Sequence, residues 1–512
     1  MSKTGKQTYG QIVKSSALIG GSSVLNVGFR ILRTKAIAVL LGPTGVGLLS
    51  IFDNISELTR TVAGLGINTS GVRQIAEAVG TGDTAHIART VITLRRVAFY
   101  SGALGALLLL VFSWPVSLLT FGSDGRVGEV AILALAVFFG DVSQGQAALV
   151  QGMRRISDLA RMNVLGAFYG TIFSIPIIYF YGERGVVPSI VCVAAMSILT
   201  SWWYARKIQV ERVVMDWRQI FSQTSSLLKL GIIFMLTGLM TMGAMYLVRL
   251  ILLRSNWPAP MTGLDAAGFY QAAWGLGGLY MGYIVQAMGA DFYPRLTAVA
   301  NNHPECNRLV NEQAEVGMLL AVPGVLATLT FAPLVLQLFY SAKFGPAVEI
   351  LRWICLGMVL RVASWPMGFV LLAKGEKKIF FWSELASNLV YIALIWVGVL
   401  QFGLRGTGIA FFVMYAIYWA GIYAIVRRLT GFHWSAANRQ LALFFLPLLA
   451  MVFASWYVLP QPAVLILGVA VTLFTGIYSI KTLCSLVPLE RFPRLAQRIF
   501  VFLRLASSKT ND

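Results

Sequence analysis

Apolar residues run along this chain in long stretches that are separated by short polar loops. A helix of about 20 apolar residues crosses the ~30 Å hydrocarbon core of a membrane. About fourteen windows of that length occur, and each predicts a membrane-spanning helix. The predicted spans lie near 15–41, 46–72, 97–119, 128–151, 161–181, 185–204, 227–253, 266–290, 314–340, 347–372, 379–401, 406–426, 440–459 and 463–483. The pattern therefore predicts an all-α, polytopic membrane protein.

The composition agrees with a membrane protein and excludes an ordinary soluble enzyme. Of the 512 residues, 57% are hydrophobic and 12% are charged, whereas soluble proteins carry roughly 25% charged residues. The net charge of +20 fits a membrane protein whose cytoplasmic loops collect Lys and Arg, and it does not indicate nucleic-acid binding. With the N-terminus in the cytoplasm, about 28 basic residues fall on the cytoplasmic side and about 5 in outer loops. Both termini are therefore predicted to be cytoplasmic.

The first twelve predicted spans form an internal repeat with a constant offset of 221 residues, at which Gly42 aligns with Gly263 and Gly47 with Gly268. Each repeat contains an even number of spans, so the two halves enter the membrane from the same side and form a parallel repeat. The predicted divisions are a first lobe at 1–221, a second lobe at 222–430, two appended spans within 431–486 and a tail at 487–512.

In the tail, apolar residues such as Phe492 and Leu495 alternate with Arg491, Arg494 and Arg498. This spacing favours an amphipathic helix on the cytoplasmic leaflet over a frayed, charged tail.

Motifs for cofactor or catalytic chemistry are missing from the sequence. The four cysteines are widely scattered, the three histidines fall in predicted loops, and neither a P-loop nor a zinc-binding spacing occurs. We therefore predict no metal site, no cofactor and no enzymatic activity.

Ionisable residues inside the first two spans give the strongest indication of a site. Two faces share the spacing i, i+4, i+7: Asn26, Arg30 and Arg33 on the first span, and Asp53, Glu57 and Arg60 on the second. At 1.5 Å per residue, Arg33 and Asp53 both lie ~12 Å from the outer surface, and Arg30 and Glu57 both lie ~17 Å from it. The charges either glue the two helices together as salt bridges, or line a water-filled cavity that holds an anionic ligand.

The second half lacks this acidic face, since Trp274 stands at the repeat position of Asp53 and Gly278 at that of Glu57. Asp141 and Arg361 occupy nearly equivalent positions on the fourth and tenth spans. They either face each other across the pseudo-axis, or lie within their own halves, with Asp141 satisfied by Ser143 or Gln144.

Three stretches carry a resemblance to a known family. They are Leu40–Leu48 (LLGPTGVGL), Ala267–Gln271 (AGFYQ) and the region from Phe339-Tyr340 to Leu371-Leu372-Ala373-Lys374-Gly375. With two six-span halves and a charged first hairpin, the chain resembles the multidrug/oligosaccharidyl-lipid/polysaccharide exporter superfamily. Within it, the chain is most similar to the flippases for O-antigen and enterobacterial common antigen precursors.

The resemblance implies transport of an undecaprenyl-diphosphate-linked oligosaccharide across the bacterial inner membrane by alternating access, with glycan polymerases as candidate partners. The implied head-group ligands are Arg30, Arg33 and Lys35, with Arg249, Arg254 and Arg361 on the opposite wall. The implied ion-pair and coupling residues are Asp53, Glu57 and Asp141.

Three alternatives remain open at this point. The two appended spans also resemble those of lipid II flippases, in which two extra helices form a groove for a lipid tail. A cation-coupled drug exporter of the same fold would favour acids and aromatic residues over arginines in its cavity. A membrane glycan polymerase would need a large outer loop, which the spacing of the spans does not provide.

Overall fold

The computed structural model describes residues 24–210, 213 and 217–486. All regular elements among these residues are helices. Nine helical stretches within the same ranges are long and apolar enough to cross a membrane. The all-α membrane fold predicted from the sequence is thus confirmed, whereas the number of fourteen spans stays a prediction. The predicted amphipathic helix at 487–512 lies outside the described residues.

The first half contains eight helices: α1 (24–40), α2 (Gly42–Gly64), α3 (Ile67–Thr81), α4 (Thr84–Val111), α5 (Ser113–Phe121), α6 (Val127–Gly152), α7 (Ile156–Tyr181) and α8 (Val186–Ala205).

The rest of the chain contains nine more: α9 (Trp217–Arg254), α10 (Gly263–Ala298), α11 (His303–Thr330), α12 (Ala332–Phe339), α13 (Ala347–Ala373), α14 (Lys377–Phe402), α15 (Gly406–Thr430), α16 (Ala436–Val458) and α17 (Gln461–Leu486).

The helix boundaries follow the repeat that the sequence predicts. Helices α2 and α10 begin 221 residues apart, and the pairs α6/α13 and α7/α14 end at the same offset. A short 3-10 turn follows both α7 and α14, at Gly182–Gly185 and Gly403–Arg405. The aligned glycines of the sequence therefore mark equivalent turns.

The second predicted span, 46–72, is wrong as a single helix. Helix α2 ends at Gly64, and Leu65 and Gly66 adopt left-handed backbone conformations with φ of 47° and 64°. Glycine tolerates this conformation because it has no Cβ. A Cβ on Gly66 would also lie 2.1 Å from the carbonyl oxygen of Gly231 on α9. The break therefore lets α9 approach the backbone closely.

The α2 and α10 helices cross at equivalent glycines near their N-terminal ends. A Cβ on Gly47 would lie 2.0 Å from the carbonyl oxygen of Leu264, and a Cβ on Gly268 would lie 2.0 Å from that of Pro43. Close by, Thr44 Oγ1 donates to Asp265 Oδ1 at 2.6 Å, again between residues 221 apart. By the predicted orientation this crossing lies at the outer ends of both helices, and we call it the outer crossing.

The chain divides into two compact units. The first comprises residues 1–268 and 339–341, and the second comprises 269–338 and 342–512. In the first, α4, α6, α7 and α8 pack side by side, and α9 lies against α2 and α3. In the second, α13 packs on α11 and α15, and the appended helices α16 and α17 pack on α11. Packing therefore assigns α9 to the first unit, while the lobe division at residue 221 follows the repeat and stays a prediction.

Candidate functional site

The basic face of the first span lies on α1. Backbone and aromatic contacts hold this helix on α7, since Thr171 Oγ1 donates to the carbonyl oxygen of Phe29 and the Phe29 and Phe168 rings meet edge to face at 5.4 Å. Arg30 is exposed and Arg33 is half-buried. Both arginines therefore keep surface that a ligand can reach.

Lys35 lies in a different environment from the two arginines. It lines an apolar groove of about 570 Å³ on α1 and α7, together with Leu32, Ala36, Val39, Leu40, Ile175, Pro176, Tyr179 and Phe180. A lysine can bury its methylene stem on such a surface while its ammonium group reaches a polar partner. The groove therefore suits a hydrocarbon chain with an anionic end more than a free sugar.

Asp53 on α2 is the centre of the charge cluster. Arg33 attracts it most strongly, Arg30 and Arg249 attract it more weakly, and Glu57 repels it. Three of the six predicted substrate-binding residues thus surround one half-buried carboxylate. The expected proximity of Arg33 and Asp53 is present, and Arg249 from the second repeat joins them.

The expected pairing of Arg30 with Glu57 is wrong. Glu57 Oε1 instead accepts a hydrogen bond from Arg60 Nη1 on its own helix, at 2.7 Å, one helical turn away. Residues at i and i+3 of a helix lie side by side, so this intrahelical pair forms at little cost. Arg30 acts on Asp53 instead.

Arg60 also binds Asp141, which corrects the assignment of that acid. Arg60 Nε lies 3.3 Å from Asp141 Oδ1, and the aspartate side chain is 2% exposed. Neither proposed neighbour satisfies Asp141, because Ser143 donates to the Ser197 carbonyl and Gln144 accepts from Asn68. Asp141 therefore belongs to an ion-pair network inside the first unit.

One oxygen of this network is left unsatisfied. Asp141 Oδ2 is buried and makes no hydrogen bond to the described residues. A buried carboxylate oxygen without a donor is unfavourable, and a proton on it would remove most of that cost. The Arg60 side chain is fitted tightly, since a Cβ on Gly140 would lie 2.7 Å from its Cζ.

The two α9 arginines have separate roles. Arg249 is buried, and its Nη1 donates to the carbonyl oxygen of Met245 at 2.9 Å. Arg254 Nη2 donates to the carbonyl oxygens of Leu118 and Leu119, at 2.8 and 2.7 Å. Those carbonyls belong to the last turn of α5, where cations are stabilised by the helix dipole. Arg254 was expected on the substrate-binding wall, but its guanidinium clamps α9 to α5.

Arg361 lies on α13 in the second unit, near two tyrosines and an acid. Its Cζ is 5.8 Å from the centre of the Tyr415 ring, and it attracts Glu384. Tyr418 Oη donates to Glu384 Oε1 at 3.5 Å. Glu384 is absent from the predicted site, although an acid within an apolar span marks a functional candidate by itself.

Aromatic rings occupy the position in the second unit that corresponds to the acids of α2. Trp274 stacks on Tyr270, with centroids 6.1 Å apart, and meets the edge of Phe411 at 5.3 Å. The Tyr270 hydroxyl shares a hydrogen bond of 2.8 Å with that of Tyr391. The asymmetry that the sequence predicts between the halves is therefore present in the structure.

The fold and these features define a multi-pass membrane protein with an ion-pair cluster in its first repeat. A family model described as polysaccharide biosynthesis protein matches residues 36–349, more than half of the chain. The chain belongs to this polysaccharide biosynthesis family.

Relatives and solved structures of similar fold are transporters. The lipid III flippase of Escherichia coli (strain K12) is 21% identical over 434 residues, which cover 81% of this chain and 99% of the flippase. The lipid II flippase MurJ in an inward closed conformation has a TM-score of 0.66 and 14% identity, covering 92% of this chain and 99% of that one. An inward-facing multidrug resistance MATE family transporter has a TM-score of 0.65 and 17% identity, covering 81% and 96%.

Proposed function

We propose that this protein is a flippase, not an enzyme, that moves an undecaprenyl-diphosphate-linked oligosaccharide from the cytoplasmic to the outer leaflet of the bacterial inner membrane. The observation that carries the proposal is the gathering of Arg30, Arg33 and Arg249 around Asp53 within the apolar part of the first unit. Guanidinium groups bind phosphate oxygens in pairs, so this cluster suits a diphosphate. The 21% identity to a lipid III flippase over 81% of the chain supports the same substrate class.

In this proposal the acids of the cluster hold the arginines until substrate arrives. The diphosphate competes with Asp53 for Arg30 and Arg33, and the released carboxylate then becomes able to take up a proton. Asp141, with its unsatisfied Oδ2, is a second candidate for a proton acceptor. Substrate binding and proton uptake would be coupled through these carboxylates.

Alternating access needs a closed side, and the outer crossing of α2 and α10 supplies one in this proposal. Its backbone contact at Gly47 and Gly268 leaves no room for a substrate to pass. The orientation, with both termini in the cytoplasm, rests on the distribution of basic residues. A glycan polymerase that takes up the flipped product is a candidate partner.

The test separates binding from helix glue. Loss of charge-assisted hydrogen bonds costs ~1.5–3 kcal/mol, so Arg30→Ala should lower export of lipid-linked glycan about 10- to 150-fold at normal membrane abundance. Arg30→Lys should recover only part of the activity, because an ammonium lacks the bidentate fork. Arg73→Ala is the matched control, since Arg73 forms only an exposed pair with Glu77.

The opposing outcome is recovery in a double variant. If Arg30 only neutralises Asp53, then Arg30→Ala combined with Asp53→Asn should restore both abundance and export. Restored export would refute a binding role for Arg30. Normal abundance with no export in the single and the double variant would support it.

A second candidate is transport of lipid II, the peptidoglycan precursor. It is favoured by the MurJ likeness, which covers 92% of this chain. Deleting the gene and identifying the lipid-linked glycan that accumulates on the cytoplasmic face distinguishes the two substrates.

A further inference from the structure

The appended hairpin of α16 and α17 covers one face of the second half. Both helices pack on α11, and Phe453 of α16 meets the Trp353 ring of α13 at 4.8 Å. At its cytoplasmic end, Asn438 Nδ2 donates to the backbone oxygen of Asn311 at 2.9 Å. The hairpin is thus fixed to the repeat by contacts along its whole length.

The outer end of this hairpin closes a polar corner where α13 begins. Tyr457 Oη donates to Glu349 Oε2 at 2.5 Å, and Arg352 Nη1 donates to Glu349 Oε1 at 2.6 Å. The Arg352 guanidinium lies 3.8 Å from the centre of the Trp456 ring. Arg405, from the 3-10 turn, lies near enough to interact with Tyr457. One tyrosine and one tryptophan therefore satisfy the charges of the corner.

The corresponding face of the first half is bare. The offset of 221 residues places α4 on α11 and α6 on α13. Ala321 and Val325 of α11 are 0% and 3% exposed, whereas their equivalents Tyr100 and Leu104 are 52% and 47% exposed. Only 33% of the most apolar stretch of α4 is buried, against 56% in α11. We call the exposed surface of Tyr100, Leu104, Leu107 and Ile132 the α4–α6 face.

The α4–α6 face also ends in a polar corner at its outer end. Arg126 Nη1 donates to Glu129 Oε2 at 2.8 Å and lies 4.0 Å from Glu183. Arg184 is the repeat equivalent of Arg405. These side chains line an open cleft of about 680 Å³ at the start of α6, together with Ser123, Gly125 and Tyr181. In the second half, the equivalent place is where Tyr457 and Trp456 are seated.

The charges of this corner favour a protein over a lipid head group. Two acids accompany the two arginines, so an anionic phosphate would meet Glu129 and Glu183 as well as its counter-charges. A neutral hydroxyl donor suits such a carboxylate, as Tyr457 does for Glu349. Tyrosine and tryptophan are also the residues enriched at the ends of membrane spans.

We propose that the α4–α6 face is the docking surface for a transmembrane helical hairpin of a second membrane protein, whose outer end carries tyrosine or tryptophan for the Arg126–Glu129 corner. The chain provides its own precedent, because the same face of its second repeat is covered in this manner. Helices in a membrane associate through packing and polar contacts, and this surface offers both. The proposal does not depend on which substrate the transporter moves.

Photo-crosslinking in the native cell tests the proposal on the full chain. A benzophenone amino acid is placed at Leu104 or Leu107, and at Leu389 or Leu400 of α14 as exposed controls. We expect one adduct with a second membrane protein from Leu104 and Leu107 and none from the controls. Mass spectrometry should place the linked site on a membrane-spanning helix whose outer end carries tyrosine or tryptophan.

A corner variant supplies the second arm. Arg126→Ala with Glu129→Ala should lower the adduct yield at least fivefold while leaving membrane abundance unchanged. Lipid adducts alone, a crosslink between two copies of this chain, equal yields at the control positions, or a yield that is insensitive to the corner variant would each overturn the proposal.

Discussion

The two repeats share their helix boundaries but differ in chemistry at one equivalent place. On α2, Asp53 and Glu57 form a charge cluster with arginines, whereas on α10 Trp274 stands in an aromatic cluster at the same repeat position. A charge within a span costs ~2.5–3.5 kcal/mol on insertion scales, while an aromatic pair stabilises by ~0.5–1.5 kcal/mol. A duplicated fold thus retains its scaffold in both halves and its costly charges in one. That division indicates that the charges of the first half serve a ligand.

The largest effect is expected from placing an acid in the aromatic cluster. Trp274→Asp removes a large ring that contacts Tyr270 and Phe411, and it leaves a carboxylate with no arginine of the kind that surrounds Asp53. Loss of a buried aromatic side chain costs ~3–5 kcal/mol, before the unpaired charge is counted. Thermal unfolding of the purified protein in detergent should show a large loss of stability. Trp274→Phe is the control and should keep most of it, and equal stability of the two variants would contradict the comparison.

The next effect concerns the crossing that both repeats share. Gly268→Leu would force α10 away from the Pro43 carbonyl, because even its Cβ would lie 2.0 Å from that oxygen. We expect the outer side to open, so that a cysteine at Thr44 in a cysteine-free background reacts at least tenfold faster with a membrane-impermeant thiol reagent. Gly243→Leu is the matched control, since nothing lies within 4 Å of a Cβ on Gly243. An unchanged reaction rate would show that the crossing does not close the outer side.

A smaller effect is expected from the second acid of the first half. Asp141→Asn keeps the shape of the side chain but removes the charge that faces Arg60, which retains Glu57 as a partner. Hydrogen bonds to charged groups contribute ~1.5–3 kcal/mol, so the variant should unfold at a modestly lower temperature. If Asp141 accepts the coupling proton, export should also lose its dependence on the pH gradient. Retention of that dependence would assign Asp141 a purely structural role.

The sequence predicted the scaffold better than the contacts of the site. The apolar windows and the offset of 221 follow from helix length and repeat geometry, so the all-α fold and the equivalence of Gly47 and Gly268 could be found without coordinates. The depth estimate brought Arg33 near Asp53, but it could not find Arg60 between Glu57 and Asp141. That link depends on which way α6 faces, and depth along a helix does not determine its rotation. The clamp of Arg254 on α5 was missed because α5 was predicted as part of a longer span.

The smallest effect is expected at the hydrogen bond that joins equivalent positions of the two repeats. Thr44→Val removes the donor to Asp265 Oδ1 and preserves the shape of the side chain. Asp265 does not become unpaired, because its Oδ2 still accepts from the backbone nitrogen and the hydroxyl of Thr262. The loss should therefore be that of one hydrogen bond, about 1 kcal/mol, which is roughly a fivefold change in an equilibrium constant. The measurement is thiol labelling of a cysteine at Pro43, with and without Thr44→Val. We expect a rate several-fold higher in the variant and well below that of Gly268→Leu. A rate equal to that of Gly268→Leu would mean that the hydrogen bond, rather than the close approach of the glycine backbones, holds the two repeats together at their outer ends.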